Sequence, residues 1–371
     1  MARRTDSPNQ LAADRVVRMY SVDECDKLLT DLELLYRRTL MVPIRTHEDL
    51  LLDPDGCMSC CGYPLTAAAL TQLCSALSWP LFSLVNDIGN RTRGGYMTPN
   101  TKSVPVAVKI LNQCIKLRFC DECRLVESWI LQNTQDRRVD GFTRSDVAPV
   151  PSYEVYSLAV ETAKAHGLEP IFGGAMMHDR QLMVDYLLPK SFTLDDGTLG
   201  RLGFFFVYSE NEMPHASAGW SLHVGGATEK PRRMIFNWRT AKRAFSKKYF
   251  MRRLTALFSR QLDFDTVRDE LDRSRRVMVD TQDTKFRLFV EQIARTWPRG
   301  TLRQTLNEVR NYGREGTELS RRDRVPLFDV LIRMMSRSDG QSAVHRNIFE
   351  AAAGRLLLSG YEGDYDGAAG N

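Results

Sequence analysis

Several features are missing from this sequence, and each absence narrows the class of protein. Its 371 residues contain no run of about eighteen apolar residues, so we expect no membrane-spanning helix. The N-terminal stretch MARRTDSPNQ lacks the apolar core of a secretion signal, which predicts a cytoplasmic protein. Cysteine is absent after Cys123, which confines all thiol chemistry to the first third of the chain.

Signatures of common enzyme classes are missing as well. The glycine pairs Gly173-Gly174 and Gly225-Gly226 are not followed by Lys-Ser or Lys-Thr, so a Walker-type phosphate loop is not supported. No G-x-S-x-G elbow, H-E-x-x-H motif or kinase signature is present. Glu210, Glu212 and His215 would supply an acid–base or metal-binding group only if they converged, and a surface loop is the favoured interpretation. The sequence therefore favours a binding protein over an enzyme.

The clearest positive feature is a block of one charge sign. Residues 230–260 hold eleven Lys and Arg and no Asp or Glu, although the net charge of the chain is only +5. Such a block repels itself unless an anion neutralises it, and nucleic acid is the commonest anionic partner. Aromatic residues lie between these charges, which favours single strands, single-stranded DNA in particular, over duplexes. The predicted phosphate contacts are Arg232, Arg233, Arg239, Lys242, Arg243, Lys247, Lys248, Arg252 and Arg253, with Tyr249 or Phe250 stacking on bases.

Other interpretations of this basic block stay open. Apolar spacing predicts a helix over Asn237–Leu262, with an apolar stripe on one side and the basic residues largely on the other. That basic face can be merely solvated, or neutralised by the segment Asp263–Asp283, which has seven acids against four bases. An acidic protein surface is a further possible partner, and it would make the chain a structural or interaction protein.

The eight cysteines all lie in the first third of the chain. Without an export signal they are interpreted as reduced thiols or metal ligands rather than a disulfide framework. Cys57 and Cys60 form one C-x-x-C motif, and Cys120 and Cys123 form another. At this spacing a tight turn directs two thiolates toward one tetrahedral ion, which predicts a structural zinc with Cys61 as a spare ligand. Ordinary buried or exposed thiols are the alternative.

Hydrophobic periodicity predicts an α+β fold with a central, mostly antiparallel sheet, flanking helices and a helical C-terminal part. Thr66 is the predicted N-cap of a helix through Leu77, and Gly167 the predicted C-cap of a helix over Ser152–His166. A hairpin is predicted within Leu125–Phe142. The chain divides into 1–124, a helical region with cysteine-rich loops; 125–236, the sheet core; 237–358, a helical region; and 359–371, a Gly-rich, acidic tail predicted to be disordered.

Short motifs occur in four segments, namely Leu65–Leu84 (LTAAALTQLCSALSWPLFSL), Glu127–Tyr156, Gly203–Val224 and Phe349–Leu358 (FEAAAGRLLL). Together they resemble the phage/plasmid-like protein family, a widespread domain of unknown function in phages and mobile elements. The resemblance implies a mobile-element context, no established reaction and no catalytic residue. Combined with the basic block, it predicts an accessory factor in replication or recombination. The alternative is a phage structural or host-interaction protein whose basic helix binds an acidic protein surface.

Overall fold

The computed structural model of the chain is an α+β fold built around one six-stranded antiparallel sheet. This confirms the fold class that the hydrophobic pattern predicts. The structure describes residues 18–53, 59–77, 104–119, 129–143, 150–178, 180–210, 216–225, 232–240, 247–260, 262–281, 283–293, 303, 306–307, 324–336, 343–359 and 364–365 (the described residues).

The secondary-structure elements have the following bounds. The helices are α1 (Cys25–Arg37), α2 (Ala67–Leu77), α3 (Val104–Phe119), α4 (Ser152–Ala165), α5 (Lys247–Phe258), α6 (Phe264–Arg276), α7 (Thr284–Ile293), α8 (Leu327–Ser336) and α9 (Ala343–Leu357). The strands are β1 (Arg18–Tyr20), β2 (Thr39–Pro43), β3 (Leu52–Asp53), β4 (Ser59–Cys60), β5 (Tyr63–Pro64), β6 (Trp129–Asn133), β7 (Arg138–Phe142), β8 (Ile171–His178), β9 (Gln181–Thr193), β10 (Leu199–Ser209), β11 (Ser217–Gly225), β12 (Arg232–Thr240), β13 (Val277–Asp280), β14 (Arg324–Pro326) and β15 (Asp364–Tyr365).

The six-stranded sheet has the strand order β1-β8-β9-β10-β11-β12, and its central strand β10 is buried on both faces. Strand β10 shows the reason, because it is apolar at successive positions. Phe204, Phe206 and Tyr208 enter the main hydrophobic cluster, whereas Phe205 and Val207 point to the other face and join a smaller cluster. All five side chains are buried.

Helix α4 covers the first of these faces. Its residues Val155, Leu158, Ala159 and Thr162 recur at helical spacing and are buried, as the sequence predicts. Gly167 follows the helix with φ of +73°, a backbone conformation that favours glycine and ends the helix there. The predicted helix and its core face are both confirmed.

Helix α9 packs directly on the edge strand β12. A Cβ atom on Gly354 would lie 2.2 Å from the carbonyl oxygen of Ile235, so no larger residue fits at that position. Ala351, three residues earlier, packs in the same small cluster as Ile235. Because Asn347 and Glu350 share this side of the helix, the close contact holds both polar side chains over β12.

A second, separate hydrophobic cluster surrounds α2, α3 and the three-stranded sheet β2-β6-β7. Thr66 caps α2 as predicted, because its Oγ1 accepts a hydrogen bond from the Ala69 amide at 3.2 Å. The predicted hairpin is confirmed as β6–β7. Its residues Ile130 and Val139 belong to this second cluster, so the hairpin packs with part of the N-terminal region.

The predicted helix over Asn237–Leu262 is wrong at its start. Residues 237–240 continue strand β12, and the described part of the helix begins at Lys247. In β12, Met234 and Phe236 enter the main cluster while Ile235 faces the opposite side, which is the alternation of a strand. Antiparallel pairing with β11 outweighs the helical spacing of the apolar residues.

Two further segments differ from the expected pattern. Arg324–Pro326, within the region 237–358 that is expected to be helical, is strand β14 and pairs with β13. Asp364–Tyr365, within the tail expected to be disordered, pairs with the other side of β13.

None of the helices in the described ranges combines the length and the hydrophobicity that a bilayer-spanning segment requires.

Candidate functional site

Helix α5 carries the described C-terminal part of the basic block. Its apolar residues recur at positions i, i+4, i+7 and i+8, which places them on one side of a helix. This side is buried and consists of Phe250, Leu254, Leu257 and Phe258. The basic residues are therefore directed to the other side.

Aromatic contacts fix the buried side of α5 on the sheet. The ring of Phe258 packs edge-on against Phe204, with ring centroids 4.8 Å apart, and also contacts Trp220. Phe250 packs edge-on against Phe206 at 5.9 Å. Since Phe250 is only 2% exposed, it cannot stack on a base, and the sequence-based prediction of that role is wrong. The physical reason is that Phe250 shares the helix side of Leu254, which is fully buried.

Lys247, Lys248 and Arg252 lie on the exposed side of α5. The helix sequence contains no acidic residue. Among the described ion pairs, the one that reaches α5 joins Lys247 Nζ to the Glu154 carboxylate of α4 at 3.8 Å. Because both side chains are substantially exposed, this pair neutralises little of the charge.

Arg253 is held by Tyr249, one helical turn earlier. Its Nε and Nη2 atoms donate to the Tyr249 hydroxyl at 3.0 and 2.5 Å. The guanidinium carbon lies 5.1 Å from the centroid of the tyrosine ring, within the range of a cation–π contact. The Tyr249 ring is thus half-buried and already contacted by Arg253, so it is not an open platform for a base.

Arg233 does not face solvent, which corrects its predicted role as a phosphate contact. Its side chain is 1% exposed and forms ion pairs with Asp185 of β9 and Glu350 of α9. Nε donates to Glu350 at 2.7 Å, and Nη2 donates to Asn347 at 2.8 Å. Burial lowers the pKa of Arg233, but the two carboxylates raise it by more, so the guanidinium stays charged.

The structure describes only some of the remaining residues that were predicted to contact phosphate. Arg232 is half-buried at the start of β12. The backbone of Arg239 lies near the end of the same strand, and its side chain is not described. Lys242 and Arg243 lie outside the described residues. The site that the structure describes is therefore the exposed side of α5.

The acid-rich segment after α5 is engaged elsewhere. Within α6, Asp269 pairs with Arg268 at 3.0 Å and Asp272 pairs with Arg276 at 2.6 Å. Asp263 caps the same helix by accepting a hydrogen bond from the Asp265 amide. Among the described ion pairs, none joins α6 to α5, so internal neutralisation of the basic face by this segment finds no support.

A second buried charged cluster was missed by sequence reasoning. Arg180 donates to Asp140 of β7 at 2.8 Å, to Glu210 at 2.9 Å and to the Thr39 hydroxyl at 2.6 Å. The other oxygen of Glu210 accepts from the amide and hydroxyl of Ser152, at the N-terminus of α4. The only sequence signal was the polar stretch at 178–180, which does not reveal burial.

Glu210 is therefore a structural carboxylate and not an exposed loop residue. It is buried beside Arg180, and its two oxygens are both engaged. Glu212 and His215, the other members of the possible acid–base group, lie outside the described residues.

The predicted zinc ligands are mostly outside the described residues. Cys60 is described, whereas Cys57, Cys120 and Cys123 are not. In the part of the chain that the structure describes, no three His, Cys, Asp or Glu side chains are grouped to hold a metal ion. The described cysteines are free thiols. The four-cysteine zinc site thus stays a prediction.

Cys60 and its neighbour Cys61 lie in contrasting environments. Cys60 is completely buried, and its pKa is raised by a hydrogen bond to Cys61 and by burial. Cys61 is exposed, and the hydrogen bond from Cys60 lowers the pKa of Cys61 to about 7.

Comparison of the chain with protein-family models, with curated proteins and with solved structures finds no match in any of the three.

Proposed function

We propose that this protein binds nucleic acid through the exposed side of α5. The observation that carries the proposal is the arrangement of that helix: apolar residues on one side, cations on the other, and no acidic residue along its length. The acidic segment that follows is paired within its own helix, which leaves the cations of α5 available to an external polyanion.

Binding of this kind rests on phosphate neutralisation. A Lys or Arg that contacts a phosphate releases condensed counterions, so affinity falls steeply as salt rises. Lys247, Lys248 and Arg252 supply exposed charges, and Arg253 supplies a guanidinium whose position is fixed by Tyr249. Contacts to phosphate position a protein on nucleic acid without reading its sequence.

The preference for single strands finds no support in the described residues of α5. Phe250 is buried, and the ring of Tyr249 is contacted by Arg253. Without an open aromatic ring among the described residues of α5, base stacking contributes nothing from this helix. The proposal is therefore a phosphate-binding surface that accepts duplexes as readily as single strands.

The biological role proposed with this surface is that of an accessory factor in replication or recombination of a phage or mobile element. It rests on the short motifs of the sequence. The rival is a phage structural or host-interaction protein in which the same helix binds an acidic protein surface. The accessory-factor role requires that the purified protein binds nucleic acid on its own, whereas the rival role does not.

The test is reversal of the four cations of α5. In the variant Lys247→Glu, Lys248→Glu, Arg252→Glu and Arg253→Glu we expect binding to a short duplex to be lost. Singly reversed variants should each flatten the slope of log affinity against log salt by about 0.9. Fluorescence anisotropy with labelled duplex and single-stranded oligonucleotides at several salt concentrations measures both effects.

A matched control separates the helix from overall charge. Reversal of Lys109, Lys116, Lys190 and Lys285, which are exposed on other elements, changes the net charge equally. We expect this variant to keep most of its affinity. Equal loss in both variants would show that no localised site exists, and unaltered binding in the α5 variant would favour the interaction-protein alternative.

A further inference from the structure

We propose that Cys60 and Cys61 form a two-thiolate site for one soft, thiophilic ion, such as trivalent arsenic. This site differs from the predicted four-cysteine zinc site, because it uses neighbouring cysteines of one hairpin turn and needs none of Cys57, Cys120 and Cys123.

The backbone of the turn is the first observation. Cys60 pairs with Tyr63 across the β4–β5 hairpin, so Cys61 and Gly62 form a two-residue loop. Their φ angles are +53° and +74°, the left-handed pair that a type I′ turn requires. Asparagine is common at the position of Cys61, whereas a cysteine there is strained. Strain of this kind concentrates at functional positions.

The sulfur positions are the second observation. The two Sγ atoms are 4.0 Å apart. Two sulfurs bound to one tetrahedral ion at about 2.3 Å are separated by roughly 3.8 Å. Pyramidal trivalent arsenic holds its ligands at a narrower angle, so the two sulfurs have to approach each other by a fraction of an ångström to chelate it. Both thiols lie close to the same backbone carbonyl oxygen, that of Asp49, at 3.2 and 3.4 Å. The sulfurs therefore lie on the same side of the turn.

One thiol is anchored and the other is accessible. Cys60 is completely buried in the second hydrophobic cluster and lies opposite Leu52 in the small sheet. Cys61 is exposed, which gives an ion in solution a route to the pair. A fixed inner thiol with an exposed partner is preorganised for chelation, because only one side chain has to move.

The donor set selects the type of ion. Within the described residues no third His, Cys, Asp or Glu completes a metal-binding group. The pair suits an ion that needs only two thiolates and keeps another ligand of its own, and thiolates select soft ions. A closed four-ligand zinc site requires more donors.

The binding step for an organoarsenic oxide balances without an oxidant. Two arsenic–sulfur bonds form, the arsenic–oxygen bond of the oxide breaks, and the two thiol protons leave with that oxygen as water. Arsenic stays trivalent, and neither cysteine is oxidised.

Phenylarsine oxide is the probe, because its phenyl group leaves arsenic two positions for sulfur. The reduced full-length protein is treated with it, desalted and weighed intact, and the phenylarsenic adducts are counted. We expect Cys61→Ser to carry one adduct fewer than the wild type. Cys114→Ser, which removes a cysteine of helix α3, and Cys57→Ser should each carry as many as the wild type.

Three outcomes would overturn the proposal. An unchanged adduct count in Cys61→Ser would show that the pair is not the site. Loss of an adduct in Cys57→Ser but not in Cys61→Ser would assign binding to the C-x-x-C motif. Loss in both would contradict a site made of two thiolates. Circular dichroism checks that each variant is folded, and the exposure of Cys61 makes its serine variant a mild change.

Discussion

Arg233 and Arg252 belong to the same basic block, yet their surroundings are opposite. Arg233 is buried between Asp185 and Glu350, and Arg252 lies on the exposed side of α5. The difference arises from the elements that carry them. Strand β12 directs alternate residues to both faces of a covered sheet, whereas α5 has one buried and one exposed side. Local charge density therefore does not distinguish a buried, paired cation from an exposed one.

Removing the buried arginine should have the largest effect on stability. In Arg233→Met the carboxylates of Asp185 and Glu350 lose their partner, and an uncompensated buried charge costs about 3–5 kcal/mol of the free energy of unfolding. Urea denaturation measures the change. Arg252→Met, the matched variant, should stay within about 0.5 kcal/mol of the wild type. Similar losses in both variants would erase the contrast between β12 and α5.

Phe250 and Lys248 give the same contrast within one helix. Phe250→Ala removes a buried ring from the core and should cost about 3–5 kcal/mol in thermal or urea unfolding. Lys248→Ala should leave stability nearly unchanged and weaken duplex binding. If Phe250→Ala unfolds like the wild type but weakens single-strand binding by about 1–3 kcal/mol, the ring stacks on bases and its burial is wrong.

Asp329 tests a half-buried charge that is less well compensated, and its effect should be the smallest. Burial raises the pKa of its carboxyl, although Arg333 and Arg275 lower it in part. The pKa of Asp329 in the folded state lies above the unfolded value of about 3.9. Ionisation therefore lowers the free energy of unfolding as the pH rises from the unfolded pKa through the folded pKa. Asp329→Asn should therefore gain stability relative to the wild type at pH 7 and lose that gain at pH 3. A gain independent of pH would exclude the ionisation effect.

The fold was largely predictable because much of it depends on local spacing. Helix α4 and its buried residues follow from the 3.6-residue period, and the cap at Thr66 follows from its hydroxyl. The strand at 237–240 could not be predicted from local spacing, because its pairing with β11 outweighs the helical pattern of its apolar residues. The burial of Arg233 is harder still to predict from the sequence, since its carboxylate partners lie 48 and 117 positions away along the chain. No window of the sequence contains all three residues.

The candidate site was predictable in part for the same reason. The lack of acids around Lys247 and Arg252 is visible in the sequence, and so is the apolar spacing that buries the opposite side of α5. The engagement of Tyr249 by Arg253 also spans only one helical turn, but spacing alone leaves the orientation of both side chains open. The turn at Cys61 was unpredictable because its left-handed backbone depends on the hairpin register.

The position of Arg180 has a consequence for how the protein unfolds. It connects Asp140, on the sheet of the second hydrophobic cluster, with Glu210, beside α4 of the main cluster. Separating the two clusters would expose the Arg180 guanidinium and break at least one of the ion pairs that it forms with Asp140 and Glu210 across that boundary. Unfolding either hydrophobic cluster alone would leave these charged groups without their partners. The two clusters should therefore unfold in one cooperative transition. Arg180 thus acts less as a source of stability than as a coupling between two folding units.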